Sequence, residues 1–425
     1  MKITINTFGT RGDIQPYVAL GKGLRGSGHT VRILSHKIFE SFVTEHGLDF
    51  YPLDLDPHQV LLNQVIAELG NNMVRIMQWM EKNFKSVLRD LFLTTLNANQ
   101  DADLILNSGL SFAGWHVAEK LNKPAIAMYL WPAIPSRFIP STMGFQLPKW
   151  MPFKGAFNYG STKLSNQTFF NLLRSSVNEC RKDILNLSPL GAGYYWRLDS
   201  PKNSIPFIYG YSPIVLPKPS DWGENQQVSG YWFLDAATEY QPDNTLSDFL
   251  KSGPPPIYFG FGSMVEHKQE EVIRTVVTAL KRTGQRGILL SGWSKFGSTD
   301  LPNSILGIET APHDWLFPQM AAVVHHGGAG TTAAGLRAGV PSIIVPSFGD
   351  QFFWGERVYE LGVGTKPIPR KKLAADKLAE AIKQSIENVV MRKNAEDMGQ
   401  LIRAEDGIEA AVQMIERIVH VLHVH

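Results

Sequence analysis

Cysteine is nearly absent from this sequence, and two other features are missing. A single cysteine, Cys180, occurs in 425 residues, so no internal disulfide can form and no metal site can be built on thiolates. No apolar run is long enough to cross a bilayer. Charge is nearly balanced, because 41 Lys and Arg stand against 39 Asp and Glu, for a formal net charge of +2. This balance argues against general nucleic-acid binding, which needs a strong basic excess.

What is present is typical of a globular protein of two domains. The chain is too long for one core, and 44% of its residues are hydrophobic and 19% charged. Residues 1–6 alternate polar and apolar, which predicts a first strand rather than the apolar core of a secretory leader. With the lone cysteine, this predicts a cytoplasmic protein.

Residues 311–351 contain the densest pattern of binding signals. Apolar runs at 321–324 and 341–346, bounded by Gly and Pro, predict buried parallel strands. Between them stands the segment HHGGAGTT (325–332), a glycine turn that enters a helix with Thr331 and Thr332 as cap-type residues. A turn of this kind leaves backbone N–H groups free at the positive end of the helix dipole. It predicts a phosphate site.

A second polar loop follows the next strand and contains Asp350 and Gln351. In a parallel sheet both loops emerge at the carboxyl edge, where ligands bind. A carboxylate beside a carboxamide offers sugar hydroxyls both acceptors and donors. The residues therefore indicate one loop for a diphosphate and one for a sugar.

The N-terminal segment predicts a βαβ unit. A strand at 2–8, a turn at 9–13, a helix at 14–26 and a strand at 30–35 follow one another. A dinucleotide oxidoreductase must therefore be considered. The turn carries only part of the glycine fingerprint, and the second strand ends at Ser35 and His36, where an NAD site would need an acidic residue.

Several motifs, taken in order, resemble one family. They are GTRGDIQP (9–16), GYWFLD (230–235), FGFGS (259–263), APHDW (311–315) and the histidine-glycine turn at 325–332. Together they resemble the family one nucleotide-sugar glycosyltransferases, nearest the sterol glucosyltransferases and their bacterial relatives, over nearly the whole chain. The resemblance implies an α/β fold of two doubly wound, Rossmann-like domains that face each other across a cleft (GT-B type).

The same resemblance implies a division of the chain. We expect an acceptor-binding domain at 1–215, a linker at 216–240, a donor-binding domain at 241–404 and a last helix at 405–425 that packs back on the first domain. Within the first domain, the residues predict a last strand at 206–211 and an irregular segment at 135–196, with one helix at 168–187.

Asp13 is the predicted catalytic base. It closes the first turn at the carboxyl edge of the predicted sheet, and the resemblance places it at the position of the family's base. That base would take the proton of an acceptor hydroxyl as the hydroxyl displaces the nucleotide with inversion at the sugar. On the residues alone, Asp13 could equally serve only to cap the helix that follows.

The donor site is predicted from the loops and from the resemblance. Its expected members are Thr10, Arg11, Ser263, Ala311, His313, His326, Gly328, Gly330, Thr331, Thr332, Asp350 and Gln351. His325 and His326 follow a strand, so alternation puts them on opposite faces, and the resemblance favours His326 as the ligand-facing one. His313 stands where plant-type members have glutamine, and Trp315 is read as a base-stacking or a core residue. No metal and no cofactor are expected, with the UDP-sugar as a co-substrate.

The acceptor side is less defined. Large apolar residues crowd the predicted helices at 58–97, and aromatic residues crowd 135–196 with Lys149, Lys154, Lys163 and Arg174 among them. The second segment could form the wall of an acceptor pocket, or a basic and apolar surface for an anionic membrane. A solvated set of loops over the core is the alternative.

We therefore expect an inverting glycosyltransferase that moves a hexose, glucose from UDP-glucose in the first instance, to a hydroxyl of an apolar acceptor such as a sterol. A macrolide, terpenoid or aromatic natural product is the alternative acceptor. A nucleotide-sugar epimerase and a non-catalytic lipid-binding homologue are more remote. The expected partners are a UDP-sugar and an apolar small molecule, with no nucleic acid, a possible membrane surface and a monomeric state.

Overall fold

The computed structural model describes residues 1–55, 73–142, 152–194, 205–236, 238–261, 269–290 and 301–424. The chain forms two compact units. The first unit is Met1–Leu234 together with Asp406–His425, and the second is Asp235–Glu405. Each unit is built on its own parallel sheet, so the predicted class of two doubly wound α/β domains is confirmed.

Seven parallel strands form the sheet of the first unit. They are β1 (Lys2–Asn6), β2 (Thr30–His36), β3 (Asp49–Leu53), β4 (Leu104–Asn107), β5 (Ala125–Tyr129), β6 (Phe207–Tyr209) and β7 (Gln226–Val228). Their spatial order is β3-β2-β1-β4-β5-β6-β7. In register, Ile5 of β1 lies opposite Ile33 of β2 and Leu106 of β4. The strand order reverses between β1 and β4, so the crevice of this unit lies at the carboxyl ends of these two strands.

Helices connect the strands of this sheet. They are α1 (Arg11–Gly26), α2 (Glu40–Thr44), α3 (Met73–Asn99), α4 (Phe112–Leu121) and α5 (Lys154–Asp183), with a 3₁₀ turn at Lys37–Phe39. α1 follows from its pattern, because Ile14, Val18 and Leu24 recur at helical spacing and are fully buried. On the other side of the sheet α3 and α4 share one core with α5, in which Phe92, Val117 and Val177 are buried.

Two predictions for the first unit are wrong. The helix predicted at 168–187 within the segment 135–196 is longer and begins earlier, because a helix of 30 residues occupies Lys154–Asp183. The predicted linker at 216–240 contains the last strand of the sheet, β7, which pairs with β6. Both were hidden because their residues lack an apolar rhythm: α5 buries polar side chains, and every residue of β7 is partly exposed.

An ion pair between the buried Arg181 and the half-exposed Glu119 joins α4 to α5. The Arg181 guanidinium donates to both carboxylate oxygens of Glu119 at 2.6 and 3.0 Å, and a third hydrogen bond joins it to Nδ1 of His116 at 3.1 Å. Phe92 stacks on the His116 ring at 5.6 Å. Burial, together with the Arg181 charge, lowers the pKa of His116 to about 4. His116 is therefore a neutral structural residue, and removing Glu119 would take away the carboxylate partner of the buried Arg181 guanidinium.

The second unit has a smaller parallel sheet. Its strands are β8 (Ile257–Gly260), β9 (Gly287–Leu290), β10 (Ile305–Ile308), β11 (Ala322–His325) and β12 (Ser342–Ile344), in the order β10-β9-β8-β11-β12. β8, β11 and β12 are buried along their whole length, as expected of strands covered on both faces. The order reverses between β8 and β11, so the crevice of this unit lies at their carboxyl ends.

The helices of the second unit are α6 (Asn244–Lys251), α7 (Gln269–Thr283), α8 (His313–Leu316), α9 (Ala329–Ala338), α10 (Gln351–Glu360), α11 (Ala375–Glu387) and α12 (Val389–Arg403), with 3₁₀ turns at Phe317–Gln319 and Arg370–Lys372. One face of the sheet is covered by α7 and α11, where Val276 and Ile382 are buried with Phe259 of β8. The other face buries Leu316, Phe317 and Val323.

The last helix, α13 (Gly407–Val424), belongs to the first unit. It packs on α1 where Gly23 offers no side chain, since a Cβ there would lie 2.3 Å from Cγ2 of Ile408. Nε2 of His29 pairs with Glu416 at 3.1 Å. No helix in the described parts of the chain is long and apolar enough to cross a bilayer.

Candidate active site

Asp13 lies in the first turn of α1, directly after the carboxyl end of β1. Its carboxylate oxygen Oδ2 accepts from the backbone N–H of Thr10 at 2.8 Å and from the Thr10 hydroxyl at 3.0 Å. The Thr7 hydroxyl donates to the Asp13 carbonyl at 2.9 Å, which ties the helix start to the strand end. The residue is partly exposed. It therefore serves as a helix-start residue and also presents a carboxylate at the crevice between β1 and β4.

Burial raises the pKa of the Asp13 carboxyl, and the two hydrogen bonds from Thr10 act in the opposite direction. Arg11 does not neutralise it, because its guanidinium lies 4.8 Å from the centre of the Phe42 ring. A raised pKa makes the carboxylate a stronger base than a free aspartate, whose pKa is about 3.9. The environment of Asp13 is thus suited to accepting a proton.

The floor of this crevice is polar, which the sequence did not reveal. Nδ2 of Asn6 donates to Oδ1 of Asn107 at 2.9 Å, and Nδ2 of Asn99 donates to Oδ1 of Asn6 at 3.1 Å. All three side chains are fully buried. The network cross-links β1, β4 and α3 beneath the loop that carries Asp13. Asn6 is the last residue of β1 and Asn107 is the last residue of β4. Two asparagines at the ends of neighbouring strands are the sequence feature that could have indicated this network.

In the second unit, the two neighbouring histidines have different surroundings. His325 is fully buried, and its Nδ1 accepts from the N–H of Gly327 at 3.1 Å, which holds the turn. Burial drives the pKa of His325 well below its usual value, with smaller effects from His326 and His313. His326 is partly exposed at the crevice. Burial lowers the pKa of His326 to about 4, against a hydrogen bond with the backbone of Gly260. His326 therefore offers a neutral imidazole rather than a positive charge.

The start of α9 has the properties of an anion site. Gly328 is its N-cap residue and supplies no side-chain cap, so the N–H groups of the first turn are not covered by one. A Cβ on Gly328 would lie 2.6 Å from Nε2 of His326, so only glycine lets the imidazole approach the turn. Gly330 is exposed and Thr331 partly exposed. Exposed donors and the helix dipole together favour a phosphate here.

The threonines of this turn differ from the prediction. Thr331 and Thr332 are not cap residues, because the helix begins two residues before Thr331 and both lie inside its first turn. Thr332 is buried, at 1% exposure, while Thr331 is partly exposed. Of the two hydroxyls, only that of Thr331 is placed to meet a ligand at the surface of this turn.

The loop after β12 lies against the loop after β11. A Cβ on Gly327 would come within 3.0 Å of the carbonyl oxygen of Gln351. Gln351 is buried, and its Oε1 accepts from the N–H groups of Ser347 at 2.9 Å and of Phe348 at 3.4 Å. Asp350 is partly exposed, and its Oδ2 accepts from Nε1 of Trp354 at 3.1 Å. The carboxamide oxygen thus shapes the loop that presents Asp350.

The third loop of this unit brings His313 next to the same strands. Its ring stacks on Phe317 at 4.3 Å and its Nε2 lies 3.4 Å from the hydroxyl of Tyr258 on β8. Ala311 is buried, at 7% exposure. Trp315 packs edge-on against Tyr240 at 5.0 Å, which is a core position. Phe317 and Tyr258 are buried, so they hold the partly exposed His313 ring in place from below.

One predicted member, Ser263, lies outside the described residues. Within the ranges that the structure describes, no group of three or more His, Cys, Asp or Glu side chains could hold a metal ion. The remaining predicted residues fall into two sets. Thr10, Arg11 and Asp13 lie at the crevice of the first unit, and those from Ala311 to Gln351 lie in three loops of the second.

Comparisons with known proteins agree with this organisation. The model of the glycosyltransferase family 28 N-terminal domain matches residues 3–140, and that of the erythromycin biosynthesis protein CIII-like C-terminal domain matches residues 288–416. The fold is shared with solved glycosyltransferases. That of kitacinnamycin has a TM-score of 0.69, 17% identity and 98% coverage of both chains. VinC in complex with dTDP has a TM-score of 0.67, 19% identity and coverage of 99% and 100%.

Two relatives identify the family. Sterol 3-beta-glucosyltransferase of Aspergillus fumigatus is 38% identical over 98% of this chain, which spans only 30% of that relative's length. Sterol 3-beta-glucosyltransferase UGT80B1 of Arabidopsis thaliana is 36% identical over 98% of this chain and 68% of its own length. Similarity of this extent, with the family 28 match and the shared fold, shows that this chain belongs to the sterol 3-beta-glucosyltransferase family of glycosyltransferases.

Proposed function

We propose that this chain transfers glucose from UDP-glucose to the hydroxyl of a sterol, with inversion at the sugar. The names of the relatives support glucose and a sterol. One structural observation carries the proposal: each sheet has its polar loops at the reversal of strand order, and these hold a carboxylate of raised pKa in one unit and an uncapped helix start in the other. A base and an anion site are the two parts that glycosyl transfer requires.

The second unit would hold the donor. The N–H groups at the start of α9 and the Thr331 hydroxyl would bind the diphosphate, beside the neutral ring of His326. As the sugar leaves, negative charge grows on the phosphate oxygens, and donors already in place lower the barrier. Asp350 would accept hydrogen bonds from sugar hydroxyls, and the His313 ring, backed by the buried Phe317, would line the nucleobase site.

The first unit would activate the acceptor. An acceptor hydroxyl attacks the anomeric carbon only as its proton is removed, and the Asp13 carboxylate is the group placed to take it. The carbon–oxygen bond to the nucleotide breaks as the glycosidic bond forms on the opposite face. The proton ends on Asp13 and the electron pair on UDP. No metal ion or cofactor is part of this proposal, because backbone N–H groups and the Thr331 hydroxyl offset the charge of the leaving group.

The test is an acceptor panel with UDP-glucose, read by mass. We expect a sterol glucoside plus free UDP, at an unchanged rate with a chelator present. If product forms only with macrolide, terpenoid or aromatic acceptors, the acceptor is one of those compounds and not a sterol. An isomerised sugar nucleotide would indicate an epimerase, and UDP-glucose binding without turnover on any acceptor would contradict an enzymatic role. A rate abolished by chelator would contradict the metal-free mechanism.

Asp350 is predicted to discriminate the sugar rather than the nucleotide. Asp350→Ala should weaken UDP-glucose binding by about tenfold, the effect of losing one hydrogen bond to a charged group. Affinity for UDP alone should not change. Asp350→Asn is the matched control, because its amide oxygen can still accept from Nε1 of Trp354 and keep the loop in place. Calorimetric titration with UDP and with UDP-glucose measures the two affinities. An equal loss of affinity for both ligands would show that Asp350 does not recognise the sugar.

We also propose that the first unit contacts an anionic membrane surface. Residues 120–178 contain no Asp or Glu but seven Lys and Arg. In the described part of this stretch, Phe138, Phe153 and Leu164 are 63%, 86% and 60% exposed. Phe153 also has a left-handed backbone with φ of 59°, unusual for a bulky residue. Apolar side chains among cations favour an anionic lipid surface, where a sterol acceptor would reside.

Vesicle binding tests the membrane proposal. The chain should sediment with vesicles that contain an anionic lipid and less with neutral ones, and salt should weaken the binding. Phe153→Asn should reduce binding without unfolding, because asparagine tolerates a positive φ. Val389→Asn, at a residue 72% exposed in the second unit, is the matched control. Equal binding by both variants and the wild type would contradict the proposal that this surface binds the membrane.

We further propose that the protein is monomeric and cytoplasmic; a cytoplasmic location is consistent with the one buried, unpaired cysteine.

A further inference from the structure

Only one of the two carboxylate oxygens of Asp13, Oδ2, accepts the hydrogen bonds that hold the side chain in place. Both the N–H and the hydroxyl of Thr10 donate to Oδ2, at 2.8 and 3.0 Å. Gly9 lies against the same oxygen: its φ is +124°, and a Cβ there would be 2.4 Å from Oδ2. The N–H and hydroxyl of Thr10 and the missing side chain of Gly9 therefore converge on one atom of the proposed base. Thr10 was expected to contact the donor, and the structure gives its hydroxyl a different partner.

We propose that Gly9 and Thr10 form a carboxylate clamp, in which Thr10 is a positioning residue that fixes Oδ2 and leaves Oδ1 to receive the acceptor proton. The inference rests on the proposed function, since Asp13 is a base only in that reaction. Gly9 permits the clamp because any side chain at this position would meet Oδ2, and because a positive φ suits glycine. With two donors on one oxygen, the plane of the carboxylate has little freedom to rotate.

A helix-start role uses the Thr10 hydroxyl oxygen only as an acceptor for the backbone N–H of Asp13, and does not require the hydroxyl to donate to Oδ2. Reciprocal bonds between Thr10 and Asp13 begin the helix in the manner of a capping box, in which the carboxylate accepts from the backbone N–H of the cap residue. The hydroxyl adds a second donor to the oxygen that the backbone already holds. A structural role predicts lower stability when it is removed. A positioning role predicts a changed rate and a changed response to pH.

The direction of the pH response follows from the charges. Hydrogen bonds to the ionised form lower the pKa of Asp13, and burial raises it. The titratable neighbours are Tyr17, whose own pKa is raised well above its usual value by burial and by Asp13, and Arg11, which lies over Phe42. Tyr17 therefore stays neutral. Without the Thr10 hydroxyl the pKa of Asp13 rises, so the base becomes protonated at a higher pH.

The experiment compares Thr10→Val and Thr10→Ser in the full chain. Thr10→Val keeps the shape and the N–H but loses the hydroxyl. Its kcat/KM for the acceptor should fall about tenfold, as expected for one hydrogen bond to a charged group. The acidic limb of its pH profile should move to higher pH. Thr10→Ser should restore both, and the Kd for UDP-glucose should match the wild type in each variant.

Three outcomes would separate the alternatives. A weaker Kd for UDP-glucose in Thr10→Val, with an unmoved acidic limb, would make Thr10 a donor contact and overturn the clamp. A lower melting temperature with an unmoved limb and rate would reduce Thr10 to a helix-start residue and also overturn it. Asp13→Asn distinguishes the proposed function itself: if that variant is inactive while Thr10→Val is normal, the base stands and only the clamp fails.

Discussion

Asp13→Asn is expected to lower the rate of glucosyl transfer by about 10²- to 10⁴-fold, the contribution of a general base. The substitution is isosteric, and the amide oxygen can still accept from the N–H of Thr10, so the start of α1 should persist. The amide cannot take the acceptor proton. Affinity for UDP should not change, because the proposed donor site belongs to the second unit. The measurement is single-turnover transfer with a parallel titration of UDP.

The chain offers a matched control for this substitution. Asp243 is the N-cap of α6 in the second unit, and its carboxylate accepts from the N–H of Leu246 at 2.7 Å. Asp243→Asn should leave transfer intact, since asparagine is as good a cap as aspartate. Full activity in Asp13→Asn would remove this residue from the mechanism. A loss of equal size in both variants would point to helix starts rather than to a base.

Gly328→Val is expected to weaken binding of UDP by about a hundredfold or more. Its backbone, with φ of −60° and ψ of 146°, is open to any residue, so the fold should not be strained. The new side chain would overlap the place of the His326 imidazole and cover the first N–H groups of α9. Losing two hydrogen bonds to a charged phosphate, at about 1.5 kcal/mol each, accounts for this magnitude.

A graded series makes the result interpretable. Gly328→Ala should fall between the wild type and Gly328→Val, because the effect grows with the volume placed over the turn. Gly26→Val is the control, since a Cβ at Gly26, the last residue of α1, would meet nothing within 4 Å. Unchanged affinity for UDP in Gly328→Val would show that the diphosphate does not bind at this helix start.

The sheets of both units could be predicted because parallel strands are short and apolar throughout. β1, α1 and β2 lie close to the predicted residues 2–8, 14–26 and 30–35, and β11 lies within one residue of the predicted run at 321–324. Each has a clear apolar run or a helical rhythm. The predicted fold class is confirmed for the same reason: alternating strands and helices with glycine turns permit few architectures.

The errors have a different physical origin. The N-terminal half of α5 was not predicted because its buried side includes Asn158, Thr162 and Gln167. Helical periodicity therefore does not appear in the hydrophobicity of this part of the sequence. β7 is three residues long at the edge of a sheet, where pairing alone defines it. In each case tertiary contacts, not local pattern, decide the structure.

The candidate site shows the same limit at the level of atoms. The sequence placed Asp13 and the glycine turn at strand ends, and strand ends are where sheet geometry brings ligands. It could not show that Thr10 bonds to Asp13, that Gln351 holds its own loop, or that Thr332 is buried. Short polar side chains reach several partners from one position, and only the folded backbone selects among them.

The stereochemistry of the product reports directly on the proposed displacement. UDP-glucose carries its glucose in the α configuration, and the proposed displacement, with the base of the first unit and the leaving group held by the second, inverts the anomeric carbon once. A single inversion predicts that NMR of the product shows a β-glucoside and no α-glucoside. An α-glucoside, or glucose returned as an isomer still attached to UDP, would contradict it.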